Sequence, residues 1–434
     1  MEAILGKVLK AARECEVFGV SQTDTSMSFE ANRLKMMDTR ETSGQALRLV
    51  KDGRIGFSST TNLAEGDALV ERALEMAPFG AEALLELPSA VAYPSVEVHD
   101  PRLEELGMDE MRRLGQSLID AVRAEWPQAQ CEGRVSRSVT RTELLNSRGC
   151  QVAYAKTTIS VYIEATLIQG ADMLYVSESE TSCHPIADIA PLADSMLLQL
   201  ERASRIAPVP SRSMPVLFTP RGLAGVLIGP LISGFNGKTV LKGMSPLVGR
   251  LGEQVVDERI SLRDDPTQPF VPGSRICDDE GTPSRATPLI DKGIAAGFLY
   301  DLQTAAQAGK QTTASASRSL ATLPQPGPGA LSLSPGDASF DDMVSGMKEA
   351  LVVERLLGAG QGNILGGDFN ANVLLGYYVR NGEIEGRAKD VMVSGNVYNV
   401  LNGVISVGKE RRWLRGFLNA PSLLCEGVAV TAKG

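Results

Sequence analysis

Histidine is the scarcest reagent in this 434-residue chain, with His99 and His184 the only two. A catalytic zinc ion takes about three protein ligands from His, Cys and carboxylates. Neither His stands in an H-E-x-x-H arrangement, which would put two imidazoles on one helical face. Cys183 and His184 are neighbours, so on a strand their side chains leave in different directions. That pair reads as a surface His beside a half-buried Cys. His99 precedes Asp100-Pro101 and reads as a turn position. No G-x-S-x-G elbow is present for a serine hydrolase. Cys15, Cys131, Cys150, Cys277 and Cys425 sit among core-like neighbours, where a buried thiol is inert.

Two acidic groups could hold a hard cation: Asp264-Asp265-Pro266 and Asp278-Asp279-Glu280-Gly281. Neither has the alternating ligand spacing of a loop site, and Asp-Pro and Glu-Gly segments favour Asx-turns and caps. Gly358-Ala359-Gly360-Gln361-Gly362 lacks the Lys-Ser/Thr of a phosphate-binding loop and its strand-to-helix setting. From the residues alone, an independent hydrolase using Cys183, His184 or these carboxylates stays open as one alternative.

The net charge of −9 argues against a nucleic-acid partner, which would call for a basic face. Lys409, Arg411, Arg412 and Arg415 beside Trp413 form a small basic cluster that a solvated patch explains. The N-terminus has no basic n-region followed by a long apolar stretch, so no secretory signal is expected. The longest uncharged apolar stretch, Gly222 to Gly237, is broken by Gly and Pro and falls short of a membrane span. Six Cys without close pairs read as reduced thiols, and the expected compartment is the cytoplasm.

The elements that would carry these residues follow from periodicity. Ile4 to Cys15 predicts a helix, Gly44 to Ser58 a hairpin turning at Asp52-Gly53, and Ala64 to Ala77 a second helix. Asp109 is placed to cap a helix through Val122. Val135 to Leu145, the turn Asn146-Ser147-Arg148-Gly149, and Val152 to Ile163 predict a strand meander, followed by a helix around Ile189 to Ala203. Ala207-Pro208-Val209-Pro210-Ser211 predicts a stiff linker. Beyond it, 43 Gly and 23 Pro in the whole chain and short apolar runs suggest sheet or barrel, with a helix at Phe340 to Leu357. The expected class is α+β: an α+β domain at 1–90, a helix-plus-meander domain at 91–207 and a β-rich domain at 208–434.

Ordered landmarks then identify a family resemblance. They run from Asn146-Ser147-Arg148-Gly149 through Ser245-Pro246-Leu247-Val248-Gly249-Arg250-Leu251-Gly252-Glu253, Asp264-Asp265-Pro266 and Asp278-Asp279-Glu280-Gly281. Gly366-Gly367-Asp368-Phe369, Gly376, Asn381-Gly382-Glu383-Ile384, Gly395-Asn396 and Pro421-Ser422-Leu423 continue the series. The chain resembles the TldD/PmbA family along nearly its whole length. The catalytic branch of that family carries an H-E-x-x-x-H helix after a Gly-Val-Leu-Leu-like lead-in, and a later Cys completes its zinc site. The similar lead-in here is Gly225-Val226-Leu227-Ile228, after which Gly229 and Gly234 stand at the His positions and Pro230 at the Glu position. The resemblance therefore implies the PmbA (TldE) branch, with no catalytic residue and no metal in this chain.

What that branch implies is a non-catalytic subunit of a metallopeptidase complex. The zinc lies in a TldD-like partner, and the substrates are unstructured peptides such as leader peptides and an antitoxin. Leu227, Ile228, Leu231, Ile232 and Asn236 are the expected chamber-facing or partner-facing residues, with plain core as the rival reading of the apolar four. A homodimer in isolation is compatible with the resemblance. The family's older label, modulator of DNA gyrase, implies no DNA contact, and the charge disfavours that role.

Overall fold

The computed structural model describes residues 1–432. Its first half is organised by one antiparallel sheet of six strands. In chain order these are β1 (Glu14–Glu30), β2 (Arg33–Lys51), β3 (Arg54–Thr60), β4 (Gln130–Asn146), β5 (Gln151–Gln169) and β6 (Asp172–Ser182). They lie in the order β3-β2-β1-β4-β5-β6. The boundary expected near residue 90 therefore falls inside a shared sheet: β1 and β4, from either side of it, pair from Glu16↔Asn146 to Phe29↔Gly133.

The predicted hairpin is present, with Asp52 and Gly53 both at positive φ. β1 and the outer half of β2 were not foreseen. Ser21 to Ser28 is polar and offers no alternation to read, yet it is zipped to both neighbours by backbone bonds. The first helix is shorter than expected, Glu2–Val8, because Cys15 already belongs to β1. Gly66–Met76, Met108–Glu125 and Ala190–Ala203 match the predicted helices. The N-cap of the second of these is Gly107, with Asp109 in the first turn, where its charge meets the positive end of the helix dipole.

The second half is α+β with a 13-stranded mixed sheet. At its centre Leu418–Cys425, Val216–Phe218, Glu349–Leu357 and Asp368–Arg380 lie side by side. The helix predicted over Phe340 to Leu357 stops at Ser345, and Glu349–Leu357 is a strand. Gly346 ends the helix, and Ala350-Leu351-Val352-Val353, buried on both faces, suits a central strand. The predicted linker is also tied down. Ile206–Ala207 pairs with Arg387 and Ala388, and Ser211 exchanges hydrogen bonds with Ala432 at 2.9 and 3.0 Å.

The halves share a core: Phe29, Val161 and Met196 belong to the same buried cluster as Leu217, Val352 and Tyr377. They also share buried ion pairs. Arg48 of β2 sits 2.9 Å from Glu16 and 2.6 Å from Glu280 of the second half. Arg318 reaches Glu16 at 2.5 Å and stacks 4.2 Å from the Phe18 ring. Burial opposes the Arg48 charge, but Glu16 and Glu280 outweigh it and hold the guanidinium firmly protonated.

Replacing Arg48 with Ala would leave Glu16 and Glu280 buried with one cation fewer. Loss of one partner from a buried pair costs about 3–5 kcal/mol. We expect Arg48→Ala to lower the urea midpoint by a corresponding amount, and an unchanged midpoint would show that the pair does not hold the halves together.

Candidate functional site

The Gly225-Val226-Leu227-Ile228 lead-in and Gly229, Pro230 and Gly234 all lie in the Pro220–Gly234 helix. Thr219 caps it by accepting from Gly222 N–H, and Pro220 takes the first turn, where no intrahelical N–H is needed. The helix lies tight against the central strand, since a Cβ on Gly222 would overlap the Val353 carbonyl. Pro230 stands inside the helix and withholds the N–H that would bond to the Val226 carbonyl. At the other end Ser245, first of a landmark run, donates from Oγ to the Gly234 carbonyl at 2.7 Å.

One face of this helix borders a cleft of about 680 Å³ between the two halves. Ala224, Gly225, Ile228, Gly229 and Pro230 form one wall, and Ser160, Tyr162, Ser177, Ser179 and Thr181 of β5 and β6 form the other. Arg221, Arg355 and Arg415 enter from the sides, and no carboxylate among the described residues lines the space.

Gly229, Pro230 and Gly234 provide no side-chain donor to a metal. The space beside Gly234 is also filled, because a Cβ there would overlap the Tyr398 phenol oxygen. Several landmarks place that ring. Asn396 caps the Val397–Asn402 helix and donates to Gly366 O and Asp368 at 2.8 Å each. Gly367, at φ +87°, leaves room for the ring edge. The Tyr398 oxygen is buried without a hydrogen-bond partner, and burial pushes its pKa up to about 12.

Among the described residues no group of three or more His, Cys, Asp or Glu could hold a metal ion. Two of the acidic landmark residues spend their oxygens on backbone. Asp264 accepts from Gly329 and Ala330 N–H, and Asp278 from the N–H groups of Glu280, Thr282 and Ala316. Cys183 is fully buried, not half-buried, and burial pushes its thiol up to about 11. His184 turns its ring edge to Phe270, with 5.2 Å between centroids, and His99 lies 3.0 Å from Glu104.

The five expected chamber-facing positions divide by helical face. Leu227 and Leu231 are buried in the main core of the second half, while Ile228 and Ile232 are half-buried against it. Ile228 borders the cleft. Asn236 is a cap: it accepts from Lys238 and Thr239 N–H and donates to Pro326 O at 2.7 Å. A carboxylate introduced there would lose the donor to Pro326 O.

The strand wall and Arg355 escaped the sequence reading, and Arg415, expected in a solvated basic patch, borders the cleft instead. A signal existed in Ser177, Ser179 and Thr181, hydroxyls at every second position of one strand face. Between them Glu178 points the other way, bonded to Ser195, Gln199 and Arg412. Burial alone would raise its carboxyl pKa, but Arg221 and Arg412 more than offset it and hold the value below the ordinary one.

The Tyr398–Gly234 contact can be tested as a cycle. Tyr398→Phe removes an unpartnered buried oxygen and should leave stability unchanged or slightly higher. Gly234→Ala should cost about 1–3 kcal/mol through overpacking. The double variant should recover most of that loss, because the next ring atom, Cζ, stands 3.5 Å from the new methyl. Additive thermal shifts would mean that the two residues do not compete for the same space.

Known proteins share this architecture. Residues 15–77 match the PmbA/TldA metallopeptidase domain 1, and residues 211–432, more than half of the chain, match the PmbA/TldA metallopeptidase C-terminal domain. An uncharacterized protein of Methanocaldococcus jannaschii is 26% identical, with 97% of each chain covered. A protein of Methanothermobacter thermautotrophicus named metalloprotease is 27% identical over 92% of this chain and 88% of its own. The crystal structure of TldE from Thermococcus kodakarensis superposes with a TM-score of 0.92 over the whole of both chains, at 24% identity. With its C-terminal half and its first strands matched, the chain belongs to the PmbA/TldD metallopeptidase family.

Proposed function

We propose that this chain is the non-catalytic, PmbA/TldE-like subunit of a heteromeric peptidase whose zinc is carried by a TldD-like partner. The observation that carries this reading is the helix turn from Gly229 to Gly234. The positions of two ligands and a general base hold Gly, Pro and Gly there, and Tyr398 takes the remaining space. A zinc-bound water needs three protein ligands around it, and this turn offers none.

The same reading gives the chain a substrate-holding role. The cleft persists without its metal donors, so a flexible peptide could rest there while the partner cuts it. Unstructured peptides, including leader peptides and an antitoxin, are the proposed substrates. Extended backbone pairing suits them because it tolerates many sequences. A cytoplasmic setting accords with six buried free cysteines. No helix among the described residues is long and apolar enough to cross a membrane.

The test is reconstitution. The purified chain alone should carry no stoichiometric zinc and leave casein-like substrates intact, and cleavage should appear when a TldD-like subunit is added. About one tightly bound zinc per chain would overturn the proposal. So would cleavage by the lone chain that disappears in Cys183→Ala or His184→Ala, which would favour an independent hydrolase.

A further inference from the structure

We infer that the cleft beside Gly229 is a carboxylate-binding subsite, which holds an extended peptide by an acidic side chain or by its C-terminus. This rests on the peptide-holding role proposed above and narrows it to a ligand chemistry. The cleft is amphipathic: Ile228, Leu356 and Ile364 offer apolar contact, and among the described residues the only charged side chains lining it are arginines.

Those arginines are not equivalent. Arg221 is committed to Glu178 at 2.8 Å and to the Ser177 carbonyl. Arg355 has Glu164 at 3.5 Å. Arg415 has no ion pair or hydrogen bond among the described residues, so its guanidinium is free for an incoming anion. The half-buried Ser179 hydroxyl on the facing wall is likewise unengaged among the described residues.

Two backbone irregularities bring the outer arginines here. The pairing of Glu349–Leu357 with Asp368–Arg380 slips on either side of Arg355, a bulge that re-aims the side chain. Arg415 occupies the turn between Val404–Leu414 and Leu418–Cys425 at φ +53°, followed by Gly416 at +64°. Asn, Asp or Gly suits the first of two such positions, and Arg gains nothing locally from standing there. Local strain kept at a cleft is where a ligand contact is expected. A planar guanidinium with several donors matches a carboxylate in a two-point contact.

The probe is a short, flexible, dye-labelled peptide with a free or amidated C-terminus and either Glu or Gln at one internal site. Its anisotropy is followed with the isolated full-length chain. Forms carrying at least one of these carboxylates should bind about tenfold or more tighter than the form with neither, consistent with one charge-assisted contact. Comparing the two single-carboxylate forms tells a side-chain anion from a terminal one. Arg415→Ala should erase that preference without moving the melting temperature. Gly225→Leu, which fills the cleft on an exposed helix position, should weaken every form.

Equal binding of all forms, or a preference that survives Arg415→Ala, overturns the subsite. Binding untouched by Gly225→Leu places the peptide elsewhere and overturns it as well. The binding assay needs no partner subunit. Normal assisted cleavage without a carboxylate preference sinks the subsite alone, and a carboxylate preference without assisted cleavage sinks the subunit reading alone.

Discussion

The geometry of the cleft depends on how two sheets are locked together, and charge supplies much of the lock. The first half contributes Glu16, Asp172 and Glu178 to the shared boundary, and the second contributes Arg318, Arg387, Arg221 and Arg412. Arg48 and Glu280 run the opposite way. A buried carboxylate without its cation is far costlier than an imperfect apolar contact. A slip of one half against the other would strand several such charges at once. Apolar packing alone would tolerate small slides, whereas paired guanidinium forks fix distance and angle.

That lock fixes the two walls of the cleft relative to each other. The strand wall belongs to the first half, and the helix wall to the second. Glu178 is embedded beneath one wall, and Arg221 rises from the first turn of the helix to meet it. The contact that seats the helix is thus independent of the turn from Gly229 to Gly234. Gly222 presses against Val353 at the start of the helix, and Ser245 holds its last carbonyl at the end.

Much of this was legible in the sequence, and the gaps have physical causes. The residue types of Gly229, Pro230 and Gly234 after the Gly225 lead-in could be read directly, whereas the space around them could not. The turn at Asp52-Gly53 was readable because few other pairs adopt positive φ at both positions. The long polar stretch of β1 was hidden because its order comes from two flanking strands. Val352 and Val353 were drawn into a predicted helix because a continuous apolar run has no period to read. The ion pairs were out of reach for another reason: Glu16 and Arg318 are 302 positions apart, and nothing local marks either as buried.

Tyr398 shows what the sequence withheld about this turn of the helix. Glycine at 234 reads as an absence, but the structure shows it as one side of a fit. The phenol needs the hydrogen atom of Gly234, the left-handed backbone of Gly367 and the cap from Asn396 to lie where it does. A histidine placed at 234 would therefore meet a ring. Accommodating it would require at least the helix turn and the Val397–Asn402 segment to change together. The Gly366-Gly367 and Gly395-Asn396 landmarks serve packing in this chain, and the cleft is lined by arginines and hydroxyls.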